Sequence, residues 1–86
     1  MLEIKLLENK VVCIDKDLDK EAGICEFSIK DNTCNIYHTE VKEEYRGKNI
    51  AKKLVEEVIS FCSKNDIKIS ATCSYADKLL ALKKLK

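Results

Sequence analysis

The 86-residue chain has no proline, no tryptophan and only two glycines. With those residues scarce, its turns fall to short polar side chains. The polar clusters at 15–21 (DKDLDKE), 30–32 (KDN), 42–47 (KEEYRG) and 64–66 (KND) mark the breaks between elements. An excess of one charge is also missing: 16 Lys and Arg against 15 Asp and Glu leave a net charge of +1. That balance argues against a dedicated nucleic-acid binder, whose phosphate contacts need a basic surplus. The GxxG loop and aromatic sheet signature of RNA-binding α/β domains are absent too. No apolar run reaches the roughly 20 residues of a membrane span. The opening MLEIKLLENK carries acidic side chains and no signal-peptide pattern, so the expectation is a cytoplasmic protein with no membrane partner. The five cysteines (Cys13, Cys25, Cys34, Cys62 and Cys73) include no C-x-x-C pair and sit among no clustered histidines. They form neither a disulfide framework nor a zinc site, and most read as small buried hydrophobes kept reduced.

What the chain does contain is clear periodicity, on a length that suits one small domain, 1–86. Leu2, Ile4 and Leu6 share one face of a first strand, opposite Glu3 and Lys5. Val11 to Ile14 makes a second strand, joined to the first by a hairpin at ENK. Cys25, Phe27 and Ile29 line one face of a third strand, opposite Glu26, Ser28 and Lys30. In a fourth, strict alternation sets Tyr37, Thr39 and Val41 opposite Ile36, His38 and Glu40. The period then becomes helical: Ile50, Ala51, Leu54, Val55, Val58, Ile59 and Cys62 form one face of a long helix that KND ends. A fifth strand over 67–72 and a second helix marked by Tyr75, Ala76, Leu79, Leu80 and Leu82 follow, with Lys83, Lys84 and Lys86 at the C-terminal end that the helix dipole favours. The order β-β-β-β-α-β-α predicts an α+β fold, a mostly antiparallel sheet of about five strands covered on one face. The fourth and fifth strands should be parallel through a right-handed crossover.

One stretch breaks the pattern of charge. In EEYRGKNIAKKL, Arg46, Lys48, Lys52 and Lys53 crowd the start of the long helix. The helix N-terminus is itself positive, and such cations are unfavourable by about 0.3–1 kcal/mol each. A lysine-rich first turn is often only a solvated surface. The other resolution is a bound anion, cradled by backbone N–H groups reached through a glycine turn.

The segment VKEEYRGKNIAKKLVEEVI, opening a helix after a strand, resembles the acyl-CoA signature of the GNAT superfamily of N-acetyltransferases, Q/R-x-x-G-x-G/A. Arg46 stands at its first position and Ala51 at its last. HTEV at 38–41, RGKNIAKKL at 46–54 and TCSY at 72–75 resemble the minimal single-domain branch of that superfamily, so the likeness runs from about Cys34 to Leu80. Two positions depart from the family pattern. Asn49 replaces the central glycine, either as a turn residue at positive φ or as an ordinary N-cap for a helix starting at Ile50. Ala71 stands two residues before the cysteine, where the family commonly has proline.

The resemblance implies acetyl-CoA as cosubstrate, lying where strands four and five splay apart. Its pyrophosphate would sit on the amides of Gly47, Lys48, Asn49, Ile50 and Ala51 beside Arg46, and its pantetheine arm along the backbone from Thr39 to Val41. An amine acceptor would attack the thioester, with His38, Glu40 and Cys73 as candidate catalytic groups. His38 and Glu40 share the more polar face of strand four, where they also suit a merely solvated surface. Cys73 precedes the last helix, where a thiolate is favoured, and its parity with Ile67, Ile69 and Ala71 also fits a core thiol. The chain is too short for the extra helices that shape an acceptor pocket in longer relatives. An open site, in a monomer or weak homodimer, is therefore expected. A non-catalytic acyl-CoA sensor or regulatory module would use the same cradle without His38 or Cys73, and a ligand-free interaction domain would use neither.

Overall fold

The computed structural model describes residues 1–85, and Lys86, placed by the sequence at the end of the second helix, lies outside them. β1 (Leu2–Leu6), β2 (Lys10–Asp15), β3 (Lys20–Lys30) and β4 (Thr33–Val41) follow one another as antiparallel neighbours. A 3-10 turn (Glu43–Tyr45) and helix α1 (Ile50–Lys64) lead to β5 (Lys68–Ala71), and helix α2 (Ser74–Leu82) follows. β5 joins the sheet beside β4 in parallel, giving the order β1-β2-β3-β4-β5 and the expected α+β fold.

The missing glycines are replaced at the turns. Asp19, Asp31, Asn32, Asn49, Asp66 and Lys84 all have φ between 50 and 60°. Five of these six are Asp or Asn, whose short polar side chains tolerate the left-handed region better than most. Asp31 and Asn32 in succession supply the pair of positive φ values that a tight β3–β4 hairpin needs.

Ile50, Leu54, Val55, Val58 and Cys62 of α1 are buried, against Val11, Cys13, Cys25, Phe27, Cys34 and Ile36 of the sheet. Ala76 and Leu79 of α2 join the same cluster, and Lys83 Nζ reaches Glu56 Oε2 of α1 at 2.8 Å. Both helices therefore lie on one side. The other face carries cross-strand rows such as Lys5–Val12–Ile24–Glu40 and Lys10–Glu26–His38. α1 stops where Asn65 Nδ2 donates to the Phe61 carbonyl at 2.8 Å and Asp66 turns left-handed.

One expectation needs correction. Strict alternation groups Ile36 with His38 and Glu40, and Tyr37 with Thr39 and Val41. In the structure Glu26 faces His38 but Phe27 faces Ile36, so Tyr37 is an extra, bulged residue. Ile36 is fully buried and Tyr37 is exposed, while Thr39 and Val41 are half-buried and His38 and Glu40 keep the outer face. The cause is the odd spacing between the inward residues Ile36 and Thr39, which a period of two cannot satisfy without an inserted residue. A second bulge places Ala22 between the pairs Cys13–Gly23 and Ile14–Glu21. The Ala22 carbonyl accepts the Lys42 N–H at 2.9 Å, one pair beyond Gly23–Val41 in the β3–β4 register.

Candidate functional site

The loop between β4 and α1 is fastened to the far end of the hairpin. Asp15 and Tyr45 are both buried, and the Tyr45 hydroxyl donates to Asp15 Oδ2. Asp15 Oδ1 also accepts the Asp17 and Leu18 amides at 3.0 and 3.3 Å. The Tyr45 bond and these two amides hold the Asp15 carboxyl below its ordinary range, and the same bond pushes Tyr45 up to about 12. Lys20 lies 5.5 Å from the Tyr45 ring centre and pairs with Glu44 at 2.7 Å, closing the anchor from outside. Sequence reading missed this arrangement. Its signal was an aspartate ending an apolar strand and a tyrosine in an otherwise charged turn, 30 residues apart.

From that anchor the chain runs into Arg46 and Gly47. Gly47 has φ 87, and a Cβ there would meet nothing within 4 Å, so the glycine serves backbone conformation and leaves open space beside it. Asn49 resolves the alternative left open by its sequence. It has φ 60 and ψ 25, and its side chain makes no capping bond. It is a left-handed turn residue in the glycine's role, and it leaves the first-turn amides of α1 without a side-chain cap. The first turn has no acidic residue, and among the described residues none of Arg46, Lys48, Lys52 or Lys53 pairs with a carboxylate within 4 Å.

A cavity of about 200 Å³ opens here and brings together Val41, Arg46, Gly47, Asn49, Ile50 and Ala51 of the sequence candidates. Tyr45, Lys52 and Tyr75 also line it, whereas Lys48 and Thr39 do not. An open glycine, an uncapped helix start and unpaired cations suit a diphosphate.

β4 and β5 part company beside the cavity. Their parallel register covers only Thr33–Ile36 against Lys68–Ala71. The Thr72 and Cys73 amides then both donate to the Ile36 carbonyl, at 3.0 and 3.2 Å. Beyond Ile36, β4 has no strand neighbour on that side among the described residues. Ala71 sits in the ladder opposite Ile36, so the strand end follows its path without the family's proline.

The three catalytic candidates fall into two groups. His38 Nε2 and Glu40 Oε1 lie 3.3 Å apart on the outer face, 46% and 52% exposed, with Lys42 Nζ 3.9 Å from the other Glu40 oxygen. Cys73 is half-buried on the core side, with its Sγ 3.6 Å from Thr39 Oγ1. Burial pushes the Cys73 thiol up, but the Ala76 N–H, the Thr39 hydroxyl and the Tyr75 and Thr39 amides outweigh it and hold the thiol below its ordinary value. The other four cysteines are buried, and burial raises each: Cys25 to about 11 and Cys34 to about 12, with Cys13 and Cys62 also shifted up.

This geometry has known counterparts. The family model of the GCN5-related N-acetyl-transferases matches residues 12–84. Protein NATD1 of Danio rerio is 39% identical over 62 residues, 72% of this chain and 56% of that protein. Protein NATD1 of Mus musculus is 41% identical over 44 residues, 51% of this chain and 40% of that protein. The chain thus spans about half the length of the curated relatives it matches. A GCN5-like protein from Staphylococcus aureus, solved in solution by NMR, superposes with a TM-score of 0.75 at 34% identity, covering 95% of this chain and 80% of its own. The PaiA N-acetyltransferase of Thermoplasma acidophilum, solved with coenzyme A, has a TM-score of 0.60 over 67% of this chain and 35% of its own. At 24% identity it speaks to fold alone.

Proposed function

The chain belongs to the GCN5-related N-acetyltransferase family, and from that premise we propose that it binds acetyl-CoA or a related acyl-CoA and transfers the acyl group to an amine. The observation that carries this reading is Asn49. Its left-handed turn, free of a capping bond, keeps the start of α1 open where the family signature has glycine. The amides of Gly47 to Ala51 receive the diphosphate, and Arg46 and Lys48 add charge. The edge of β4 from Thr39 to Val41, which has no strand neighbour on the β5 side among the described residues, receives the pantetheine arm as an added strand. One of those amides polarises the thioester carbonyl.

The amine nitrogen attacks that carbonyl, its C–N bond forms, and the bond to the CoA sulfur breaks. The amine loses its proton to the His38–Glu40 pair. Cys73 either donates a proton to the departing CoA thiolate or accepts the acyl group transiently before the amine does. The exposure of His38 and Glu40 fits an acceptor that is large, or a site completed by a second copy in a weak homodimer. A cytoplasmic site of action is part of this proposal, and four buried thiols outside any disulfide suit such a reducing compartment. Among the described residues no helix is long and apolar enough to cross a membrane.

Calorimetry with CoA and acetyl-CoA, followed by turnover on a panel of amines, tests the reading. Heat of binding and amine-dependent release of CoA are expected. No heat and an unmoved melting temperature at millimolar CoA would sink it. Binding with no turnover on any amine, and no label on Cys73 in a single turnover, would instead identify a non-catalytic acyl-CoA module.

A further inference from the structure

Thr39 faces inward, as alternation with His38 and Glu40 expects, even though Ile36, three residues earlier, faces inward too. The bulge at Tyr37 keeps Ile36 in the core and still turns Thr39 inward, away from His38 and Glu40. Its hydroxyl then lies between two sulfurs, 3.6 Å from Cys73 Sγ and 3.7 Å from Cys25 Sγ. Cys25 is fully buried on β3, directly opposite Thr39 in the ladder.

A threonine hydroxyl has one proton to give and lone pairs to receive. While Cys73 is protonated, its S–H donates to Thr39 and Thr39 donates to Cys25. When Cys73 ionises, the Thr39 O–H rotates to donate to the thiolate, and the Cys25 S–H swings round to donate to Thr39. In each state Thr39 both donates and accepts a hydrogen bond, and no heavy atom has to move. Cys25 suits the donor's part because burial keeps its proton in place.

We propose that Thr39 is a positioning residue for acyl transfer: its hydroxyl, backed by the Cys25 thiol, is the reversible hydrogen-bond partner that stabilises Cys73 as a thiolate. This inference rests on the acyl-transfer reading above and holds for either role of Cys73. As proton donor, Cys73 becomes a thiolate when the CoA sulfur takes its proton. As acyl acceptor, it attacks the thioester as a thiolate, its S–C bond forming as the bond to the CoA sulfur breaks. Of the titratable groups near Cys73, Cys25 of β3 lies behind Thr39, and Tyr75 and Asp77 follow Cys73 in α2, the Asp77 amide donating to the Cys73 carbonyl at 2.9 Å. Arg46 and Lys52 line the adjoining cavity with Tyr75, and His38 and Glu40 occupy the opposite face of β4.

The test is the pH dependence of iodoacetamide alkylation at Cys73 in the folded, ligand-free protein, read by mass spectrometry. The other four cysteines are at most 1% exposed and do not compete. Thr39→Val is expected to raise the midpoint by about one pH unit and slow alkylation at pH 7 by up to about tenfold. Thr39→Ser should restore it, and Cys25→Ala should raise it by a smaller step. An unmoved midpoint in Thr39→Val, or a Thr39→Ser variant that shifts as far as valine does, would overturn the proposal. If Thr39→Val does not fold, Cys25→Ala decides: a raised midpoint supports the relay and an unchanged one refutes it. CoA calorimetry on the wild type is run alongside. Absence of binding there removes the acyl-transfer reading, whereas binding with no titration shift removes only the role of Thr39.

Discussion

Gly23 sits where the sheet meets the candidate site, and replacing it with alanine probes how tightly that junction is packed. A Cβ at Gly23 would lie 3.1 Å from the Glu40 carbonyl oxygen and 3.2 Å from both Ile50 Cγ2 and Val41 Cγ2. One of these atoms is backbone, held in the β3–β4 ladder, and the other two belong to side chains that help line the cavity or start α1. Relief therefore requires shifting β4, α1 or both. Overpacking of this kind costs about 1–3 kcal/mol. Gly23 is not among the residues of positive φ, so alanine also gains about 0.4–1 kcal/mol by restricting the unfolded chain. At the middle of the two ranges packing wins, leaving a net loss of about 1.3 kcal/mol, which lowers the melting temperature of a domain this size by about 5–10 °C. Thermal melts by circular dichroism, with urea titrations to check that the slope is unchanged, measure the effect directly. A melting temperature equal to or above wild type would refute the reasoning, because it would mean that the junction has room the distances do not show.

Leu54→Ala, which empties a fully buried position on α1, should cost about 2–5 kcal/mol in urea unfolding. Arg46→Ala should weaken CoA binding by about three- to tenfold at low ionic strength, with the loss shrinking as salt is raised. Asn49→Gly should change CoA affinity by less than about threefold, since asparagine already adopts the glycine conformation and makes no capping bond. The buried Asp15–Tyr45 bond should mark both ends of the pH–stability curve. Asp15, lowered first of all by the Tyr45 bond, contributes stability above its unfolded pKa of about 3.9 that is lost as pH falls through its lower folded value. Tyr45, raised to about 12 by the same bond, contributes stability below about 10 that is lost as pH rises toward 12. Tyr45→Phe should flatten both limbs in urea titrations across pH.

The residues that announced the fold were those whose local period and tertiary role agree. Ile50, Leu54, Val55, Val58 and Cys62 repeat at helical spacing and are the residues α1 buries. Leu2, Ile4 and Leu6 alternate and pair with Asp15, Cys13 and Val11 on the helix-covered face. Where the period breaks, sequence alone misleads. Ile36 and Tyr37 exchange faces because a bulge inserts a residue, and the preference for it comes from β3 and α1, remote in the chain. Asn49 had two local solutions, capping or left-handed turning, and only the surrounding loop selects between them. The contacts of Tyr45 with Asp15, and of Thr39 with Cys25 and Cys73, join residues 14 to 34 apart with no periodic signature between them. The cations before α1 were plain in the chain. What made them interpretable was the uncapped helix start beside them.

The central proposal is that a diphosphate is received on the backbone at the head of α1, and a CoA titration followed by proton–nitrogen correlation NMR tests it most directly. The largest amide shifts are expected at Gly47 to Ala51, with a second set at Thr39 to Val41. Saturating CoA that leaves those amides unmoved, or moves a different surface instead, would contradict it.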